Sequence, residues 1–309
     1  MQQKQKVIVI CGPTASGKTA LGVELAKKIN GEVVSCDSMQ IYKDMTIGTA
    51  KPVEEEMQGI KHYLIDFVSP DERYSVANFK KDAKIAIKEI LEKGKTPIVV
   101  GGTGLYIDSL IYEIEYNDIK LDEEYRKKLE TIAQKEGLEK LYDKAKKIDP
   151  DAIEKISPND QKRIIRILEI YHATGKTKTE QEAKSRKEVE YDYRVFAINW
   201  EREKLYERIN KRVDIMMNQG LVEEVENIRK KYNKFPTAMQ GLGYKEVVDY
   251  LDGKYSKEEM IEKIKMETRR YAKRQMTWFR KNKQTIWLDG QNDIQNNIDI
   301  ILEGINWTK

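Results

Sequence analysis

The chain has 309 residues, which is enough for one large domain or for two smaller ones. Hydrophobic residues make up 39% and charged residues 35%, so a packed core lies beneath an unusually charged surface. The formal net charge is only +4, and charge alone therefore identifies no partner. The two cysteines and two histidines have no metal-binding spacing, which excludes a disulfide framework and argues against a histidine-rich zinc or iron site.

The N-terminal region carries no visible secretory signal. Its first apolar run, residues 7–10, is short and leads directly into a glycine-rich loop, which is typical of a strand. No segment approaches the ~18 apolar residues that a membrane span needs. We therefore expect a soluble, reduced and cytoplasmic protein with no membrane partner.

Short apolar strands alternate with helical patterns in the N-terminal third of the chain. Strands are predicted at residues 7–11, 32–35, 63–67 and 97–100. Helices are predicted at residues 19–29 and 75–93, where apolar residues recur at helical spacing. This alternation predicts an α/β fold, a mostly parallel sheet flanked by helices.

The character of the sequence changes near residue 116. Residues 120–190 are helical and highly charged, with no convincing apolar strand. The rest of the sequence predicts a strand at 194–200, helices over 202–283 and a final strand at 285–288. The helices are interrupted near Pro236 and at 241–243. The simplest interpretation is an inserted all-helical domain, residues 118–190, within a discontinuous core of residues 1–117 and 191–309.

Residues 12–19 match the P-loop pattern and lie between a predicted strand and a predicted helix. Glycines let backbone N–H groups curl around a polyphosphate, and the helix N-terminus favours the negative charge. The lysine adds positive charge, and the hydroxyl after it is placed to ligate Mg²⁺. The candidate phosphate-binding residues are Gly12, Pro13, Thr14, Ala15, Ser16, Gly17, Lys18 and Thr19. The motif predicts a P-loop NTPase-like core but does not identify the phosphate compound.

The turn after the predicted strand at 97–100 contains Gly101, Gly102, Thr103 and Gly104, and no acid. An NTPase usually places a metal-holding Asp at this point, so its absence weakens that interpretation and leaves kinases open. The glycines indicate either a tight turn or a close approach of a nucleobase or substrate chain to the backbone.

A carboxylate, Asp37, follows the predicted strand at 32–35. Ligands of open α/β sheets bind outside the carboxyl ends of the strands, so Asp37 should lie close to the phosphate loop. There it could hold a metal or accept a proton from a nucleophile. A simple capping role explains an Asp at this position equally well.

Six separated segments are spread over nearly the whole chain. They are GPTASGKT (12–19), DSMQIY (37–42), GGTGLY (101–106), DQKRIIRILEIYHATGK (160–176), GLGYKE (241–246) and TRRYAKRQMTWFR (268–280). In sequence and in order, these segments resemble the tRNA dimethylallyltransferases, also called tRNA isopentenyltransferases.

The resemblance implies transfer of a dimethylallyl group from dimethylallyl diphosphate to N6 of the adenosine 3′ to the anticodon in tRNA. It implies that Lys18 and the loop amides hold the diphosphate, that Thr19 helps to hold Mg²⁺, and that Arg212 neutralises the leaving group. It makes Asp37 the general base on the adenine amine. It implies that Gln40, with Ser38, helps to hold the target base. The residues that it places at the tRNA are Asp37, Ser38, Met39, Gln40 and Thr103.

Residues 263–283 contain nine basic residues and one acid, with Tyr271, Trp278 and Phe279 between them. This composition favours phosphate contacts and base stacking, although a solvated helix face with core aromatics has the same pattern. We predict that Arg269, Arg270 and Arg274 contact tRNA.

In the insertion, the segment 161–165 combines basic residues with a predicted core face, and its residues alone predict a structural helix. The resemblance assigns this segment to the tRNA anticodon stem-loop, with Arg126 close by. The assigned residues are Gln161, Lys162, Arg163, Ile164 and Ile165. Nothing resembles a coiled-coil seam, so we expect a monomer.

Three other functions fit parts of the sequence. A nucleotide or nucleoside kinase also joins a P-loop core to a helical lid, but it leaves the basic segment unexplained. A non-catalytic RNA-binding NTP switch would need a nucleotide-specificity motif such as NKxD, which Asn210–Val213 fails to match. A prenyltransferase that acts on free AMP-like nucleotides would need neither the insertion nor the basic segment.

Overall fold

A single sheet of six parallel strands forms the centre of the protein. The structure is a computed structural model that describes residues 4–114, 122–184 and 188–306. The strands are β1 (Lys6–Cys11), β2 (Gly31–Ser35), β3 (His62–Tyr63), β4 (Thr96–Gly101), β5 (Asp192–Asn199) and β6 (Ile286–Asp289). Their order in the sheet is β3-β2-β4-β1-β5-β6, and every neighbouring pair is parallel. The predicted α/β class is confirmed.

Fourteen helices are present in the described residues. They are α1 (Lys18–Lys28), α2 (Glu54–Met57), α3 (Val76–Glu92), α4 (Gly104–Ile111), α5 (Glu123–Glu136), α6 (Leu138–Ile148), α7 (Pro150–Ile153), α8 (Gln161–Thr174), α9 (Lys178–Lys184), α10 (Arg202–Asn218), α11 (Leu221–Lys231), α12 (Tyr244–Leu251), α13 (Lys257–Phe279) and α14 (Ile294–Asn306). A short 3₁₀ turn, Ala238–Gln240, precedes α12. Within the described ranges, none of these helices has the length and apolarity to cross a membrane.

The sheet is buried on both faces, as a parallel sheet requires. Along β1, Val7, Val9 and Cys11 face one apolar layer, and Ile8 and Ile10 face the other. This alternation follows from the two-residue period of a strand. Each layer is completed by helices, so the carboxyl ends of β1, β2 and β4 form a firm edge on which a site can be built.

Two sequence predictions differ from the fold. The strand predicted at 63–67 ends at Tyr63, because Leu64 and Asp66 have φ angles of 60° and 58°, which a strand does not accommodate. Helix α14 was not predicted at all. Its Ile298 and Ile301 are buried against the sheet layer that contains Ile8 and Ile10.

The chain divides into two compact units. The first contains Met1–Ile111 and Glu190–Lys309, and the second contains Tyr112–Val189. In the second unit, α5 to α8 surround a small apolar core that includes Leu129, Leu141 and Leu168. The domain boundaries predicted from the sequence stay a prediction, and residues 117 and 118 lie outside the described residues.

Candidate active site

The phosphate loop connects the end of β1 to the start of α1, where Gly17 occupies the N-cap position with φ 91°. A left-handed residue here suits glycine, which has no Cβ penalty in that conformation. The non-glycine Ala15 also has a left-handed φ of 62°. The loop therefore holds a strained shape, which the rest of the structure must stabilise.

Side chains distant in sequence hold this loop from two sides. On one side, Trp200 Nε1 donates to the carbonyl of Ser16 at 3.0 Å, and Arg208 Nε donates to the carbonyl of Ala15 at 2.8 Å. The Arg208 guanidinium stacks on the Trp200 ring at 4.3 Å. On the other side, Gln275 Oε1 accepts from the Thr14 N–H at 3.0 Å. The Thr14 amide is thus used by the protein, so it is not part of the predicted phosphate cradle in this conformation.

Two cations face the loop. Lys18 Nζ donates to the carbonyl of Pro13 at 2.8 Å. Burial, followed by the nearby charge of Arg212, lowers the pKa of Lys18 to about 8, and Asp37 acts in the opposite direction. Burial also lowers the pKa of Arg212, and Asp37 partly restores it. Mutual repulsion and burial therefore make a negative ligand favourable here.

Among the residues that the structure describes, Ser16 Oγ and Arg212 Nε are buried beside the loop and have no hydrogen-bond partner. Buried polar atoms in native proteins are usually satisfied, and exceptions often mark a ligand site. Ser16 belongs to the phosphate loop, and Arg212 lines the same cleft as Thr14 of that loop. The arrangement fits an anion with several oxygens.

Asp37 follows β2 and is half-buried. Its Oδ1 accepts from the backbone N–H of Met39 at 2.8 Å and of Gln40 at 3.3 Å, the local capping role that the sequence left open. The backbone N–H of Ser38 donates to Thr103 Oγ1 at 3.0 Å. The structure thus brings Asp37, Ser38 and Thr103 together at the end of the sheet that carries the phosphate loop.

The side-chain amide of Gln40 forms hydrogen bonds within the protein. Its amide nitrogen donates to the carbonyls of Thr49 and Ala50 at 3.3 and 3.1 Å, and its oxygen accepts from Ser35 Oγ at 3.3 Å. Both amide hydrogens are used in this way. The role of Gln40 at the target base stays a prediction, and the contacts observed support the loop that follows Asp37.

The carboxylate of Glu224 supports the same loop. It accepts from three successive backbone N–H groups, those of Thr46, Ile47 and Gly48, and from the hydroxyl of Tyr244. Sequence reasoning did not identify Glu224, because nothing local marks an acid that caps a loop on another part of the chain.

The glycines after β4 make room for the protein itself. A Cβ at Gly101 would lie 2.0 Å from the carbonyl oxygen of Cys36, and one at Gly102 would lie 2.3 Å from Gln275 Nε2. At Gly104 a Cβ would lie 2.4 Å from the Trp278 ring. The interpretation that a nucleobase or substrate chain approaches these glycines is therefore wrong.

A cleft of about 310 Å³ opens between the phosphate loop, Asp37 and helices α10 and α13. Thr14, Asp37 and Arg212 line its polar side. Its apolar lining includes Met39, Ile209, Val213, Met216, Leu242 and Ile264. Among these, the sequence indicated Met39 and the segment that contains Leu242. The other residues look like ordinary helix positions.

Helix α13 closes the cleft with Tyr271 and Arg274. The side chain of Tyr271 hydrogen-bonds with Thr103, and burial, followed by the charge of Asp37, raises the pKa of Tyr271. Arg274 is exposed and lies 5.7 Å from the centre of the Tyr271 ring. Together these residues form the rim beside Asp37.

The other basic and aromatic residues of α13 have different positions. Arg269 donates to Asn210 Oδ1 at 2.6 Å, and exposed Arg270 donates to Glu267 at 2.6 Å. Phe279 is buried in the core, and Trp278 packs on that core with its indole N–H donating to Asp108. The prediction of base stacking by Phe279 is therefore wrong, because the core occupies its ring. Trp278 is half-buried, and its role in base stacking stays a prediction.

The helical unit, considered alone, places Gln161, Lys162 and Arg163 on the exposed first turn of α8. Ile164 and Ile165 are 0% and 1% exposed and belong to the apolar core of that unit. The prediction that these two side chains contact tRNA is corrected for this reason.

Arg126 is half-buried and pairs with two acids of the same unit. Its guanidinium lies 3.3 Å from Glu130 and 3.4 Å from Glu169. Glu169 is buried, and burial raises its pKa although Arg126 and Arg166 act in the opposite direction. An RNA contact by Arg126 would therefore compete with these ion pairs.

In the part of the chain that the structure describes, no cluster of three His, Cys, Asp or Glu residues is placed to bind a metal. Mg²⁺ in phosphate sites is usually held by one or two protein oxygens, phosphate oxygens and water. Thr19, half-buried in the first turn of α1, presents such an oxygen beside the loop. The donor set fits Mg²⁺ bound together with a phosphate ligand.

Comparison with known proteins identifies the family. The model of the IPP transferase family matches residues 40–282. A tRNA dimethylallyltransferase from Acetivibrio thermocellus is 57% identical over 285 residues, covering 92% of this chain and 91% of that protein. The chain belongs to the IPP transferase family. A relative named tRNA dimethylallyltransferase from Bacillus cereus is 47% identical over 287 residues, with 93% and 90% covered.

Solved structures of IPP transferases have the same fold. The tRNA isopentenylpyrophosphate transferase of Bacillus halodurans matches with a TM-score of 0.73 and 43% identity, covering 98% of this chain and 97% of that chain. A eukaryotic dimethylallyltransferase acting on tRNA matches with a TM-score of 0.79 and 34% identity, covering 97% and 79%. The resemblance found in the sequence is confirmed, and the kinase alternative is not favoured.

Proposed function

We propose that this protein transfers the dimethylallyl group of dimethylallyl diphosphate to N6 of the adenosine 3′ to the anticodon in tRNA, releasing diphosphate. The observation that carries this proposal is the juxtaposition, at one cleft, of the phosphate loop, two cations and a carboxylate. Lys18, Arg212 and Asp37 interact electrostatically with one another there. Family membership supplies the donor and acceptor classes.

The donor binds with its diphosphate on the loop. As the C–O bond to the allylic carbon breaks, negative charge grows on the departing diphosphate, and Lys18 and Arg212 stabilise it. The unpartnered Ser16 Oγ and Arg212 Nε have hydrogen-bonding capacity for its oxygens. Mg²⁺, when held by Thr19 and the diphosphate, supplies further positive charge to the leaving group. The apolar lining of the cleft suits the prenyl chain.

The acceptor amine attacks the allylic carbon, and the new N–C bond forms as diphosphate leaves. Asp37 then removes the surplus proton from N6. Both turn hydrogen bonds of Asp37 use Oδ1, which leaves Oδ2 for the substrate. The exocyclic amine of adenine is a weak nucleophile, so much of the rate must come from holding it beside the allylic carbon.

The target base must leave its stack to enter the cleft. Arg274 and Tyr271 at the rim suit a phosphate and a base of the anticodon stem-loop. The exposed Gln161, Lys162 and Arg163 of the helical unit are further candidates for tRNA contact. We further propose that the enzyme is cytoplasmic and monomeric.

A transfer assay tests the proposal directly. Purified protein is mixed with radiolabelled dimethylallyl diphosphate, Mg²⁺ and unmodified tRNA, with AMP and ATP as parallel acceptors. Label on tRNA alone is the expected result. Label on AMP would mean that the enzyme acts on free nucleotides. Phosphate transfer from ATP without prenyl transfer would favour a kinase.

A further inference from the structure

The side chain of Gln275 joins two loops at the end of the sheet. It is 6% exposed, and it extends from the buried side of α13. Its Oε1 accepts from the Thr14 N–H at 3.0 Å, and its Nε2 donates to the carbonyl of Gly102 at 2.8 Å. One amide thus connects the phosphate loop to the turn that carries Thr103.

The sheet itself does not hold these two loops together. The last residue pair between β1 and β4 is Cys11 with Gly101, and both loops begin directly after it. Beyond that pair, Gln275 supplies the link. The link requires a glycine at position 102, since a Cβ there would lie 2.3 Å from Gln275 Nε2.

Only a side chain with a donor and an acceptor at its end can make both bonds. A carboxylate would keep the acceptor for Thr14 and would face the carbonyl of Gly102 without a hydrogen to donate. An apolar side chain would leave both backbone groups buried without this partner. Glutamine therefore satisfies a specific chemical requirement here.

The link continues to the acceptor side of the cleft. Thr103, next to Gly102, accepts from the Ser38 N–H, and Ser38 follows Asp37. The phosphate loop, where the donor binds, is thereby connected to Asp37 through Gln275 and the turn after β4.

We propose that Gln275 is a positioning residue that sets the distance between the phosphate loop and Asp37, and hence between the allylic donor and the acceptor amine. This inference rests on the proposed function. Misplacement of reacting groups by about 1 Å costs on the order of 100-fold in rate. Donor binding itself rests on Lys18, Arg212 and the remaining loop groups, so it is expected to change little.

The test uses Gln275→Ala, Gln275→Glu and Gly102→Ala in the full-length enzyme, with the exposed Gln295→Ala of α14 as a matched control. Transfer to tRNA is measured per folded molecule, together with pyrophosphate affinity in the presence of Mg²⁺. We expect kcat to fall ~10- to 100-fold for Gln275→Ala and less for Gln275→Glu, with pyrophosphate affinity within about threefold of wild type.

A double-mutant cycle isolates the interaction between Gln275 and Gly102. Gly102→Ala alone displaces the Gln275 amide, so it should lower kcat by a similar factor. When Gln275→Ala has already opened the space, the same glycine change should have little further effect. Fully additive losses would contradict a direct interaction between the two residues.

The possible results distinguish a failure of the role proposed for Gln275 from a failure of the proposed function. A merely structural Gln275 would lower the melting temperature and the folded fraction, while kcat per folded molecule and KM stayed at wild-type values, and this result would overturn the inference alone. Wild-type protein that labels no tRNA would overturn the proposed function, and this inference with it. The Gln275→Glu and Gly102→Ala variants keep the test decisive if Gln275→Ala fails to fold.

Discussion

The phosphate-loop cleft and the first turn of α8 are both candidate ligand surfaces, and they are built in opposite ways. Behind the cleft, Trp200, Arg208 and Gln275 bind the backbone of the phosphate loop from 184 to 261 residues away. On the first turn of α8, Arg163 interacts locally, through an N–H donated to the N-cap Asp160 and an ion pair with the same residue.

This difference follows from what each surface must do. Bond breaking demands fixed donors and charges, because preorganised groups stabilise a transition state without reorganising. Exposed basic side chains meet phosphates mainly through charge, which tolerates mobile geometry. Changes in the cleft should therefore affect kcat, and changes on α8 should affect tRNA affinity and its salt dependence.

The largest effect is expected from Asp37→Asn, which keeps an oxygen for the turn but removes the proton acceptor. Transfer should fall ~10²- to 10⁴-fold, the usual contribution of a general base. Pyrophosphate affinity should stay near wild type. Asp299→Asn, at an exposed position, serves as the control. Near-normal transfer by the Asp37→Asn variant would show that Asp37 is not the general base.

Removing one cation from the loop should have the next largest effect. Lys18→Met and Arg212→Met should each lower kcat ~10²- to 10³-fold, since each deletes a group that stabilises the leaving charge. Lys27→Met, on the exposed side of the same α1, is the matched control. Single-turnover transfer is the measurement, and equal rates for the Lys18 and Lys27 variants would contradict the assigned anion site.

A substitution in the core of the helical unit should lower the stability of the protein, whereas a substitution in the cleft should lower the transfer rate. Ile164 is fully buried, so Ile164→Ala should lower the free energy of unfolding by about 2–5 kcal/mol, and Ile164→Val by about 0.5–1.5 kcal/mol. Chemical denaturation measures both changes. Pyrophosphate affinity of the folded protein should not change, and a parallel decrease in that affinity would erase the contrast between the two regions.

The smallest effect is expected from Lys162→Ala combined with Arg163→Ala. The double variant should weaken tRNA binding by about 10-fold and reduce the slope of log affinity against log salt by ~1.4 to 1.8, because each of the two phosphates that are no longer neutralised lowers the slope by ~0.7 to 0.9. Filter binding over a salt series gives both values. An unchanged slope would mean that this turn does not bind phosphate.

Local patterns made much of the site predictable. The strand, glycine loop and helix of the P-loop are consecutive, and so is the strand that ends before Asp37. Because parallel strands end at one edge, sequence reasoning could place Asp37 beside Lys18. The electrostatic interaction of the two groups in the structure agrees with that reasoning.

Interactions between distant segments could not be predicted. Neither Gln275 nor Glu224 carries a local signal for the loop that it binds, and the glycines after β4 were misinterpreted because the atoms that crowd them belong to other segments. Helix α14 is a different case. Its Ile298, Ile301 and Ile305 show helical spacing, and the pattern was visible in the sequence.

The position of β1 has a consequence for synthesis on the ribosome. β1 lies between β4 and β5, and β5 begins only at Asp192, after the whole helical unit. A nascent chain that has emerged up to that unit therefore exposes one unpaired edge of β1, which is a site for mispairing and for chaperone binding. The hydrogen bonds that Trp200 and Arg208 make to the phosphate loop form later still, so the enzyme can hold its donor loop in shape only after β5 and the first part of α10 have been made.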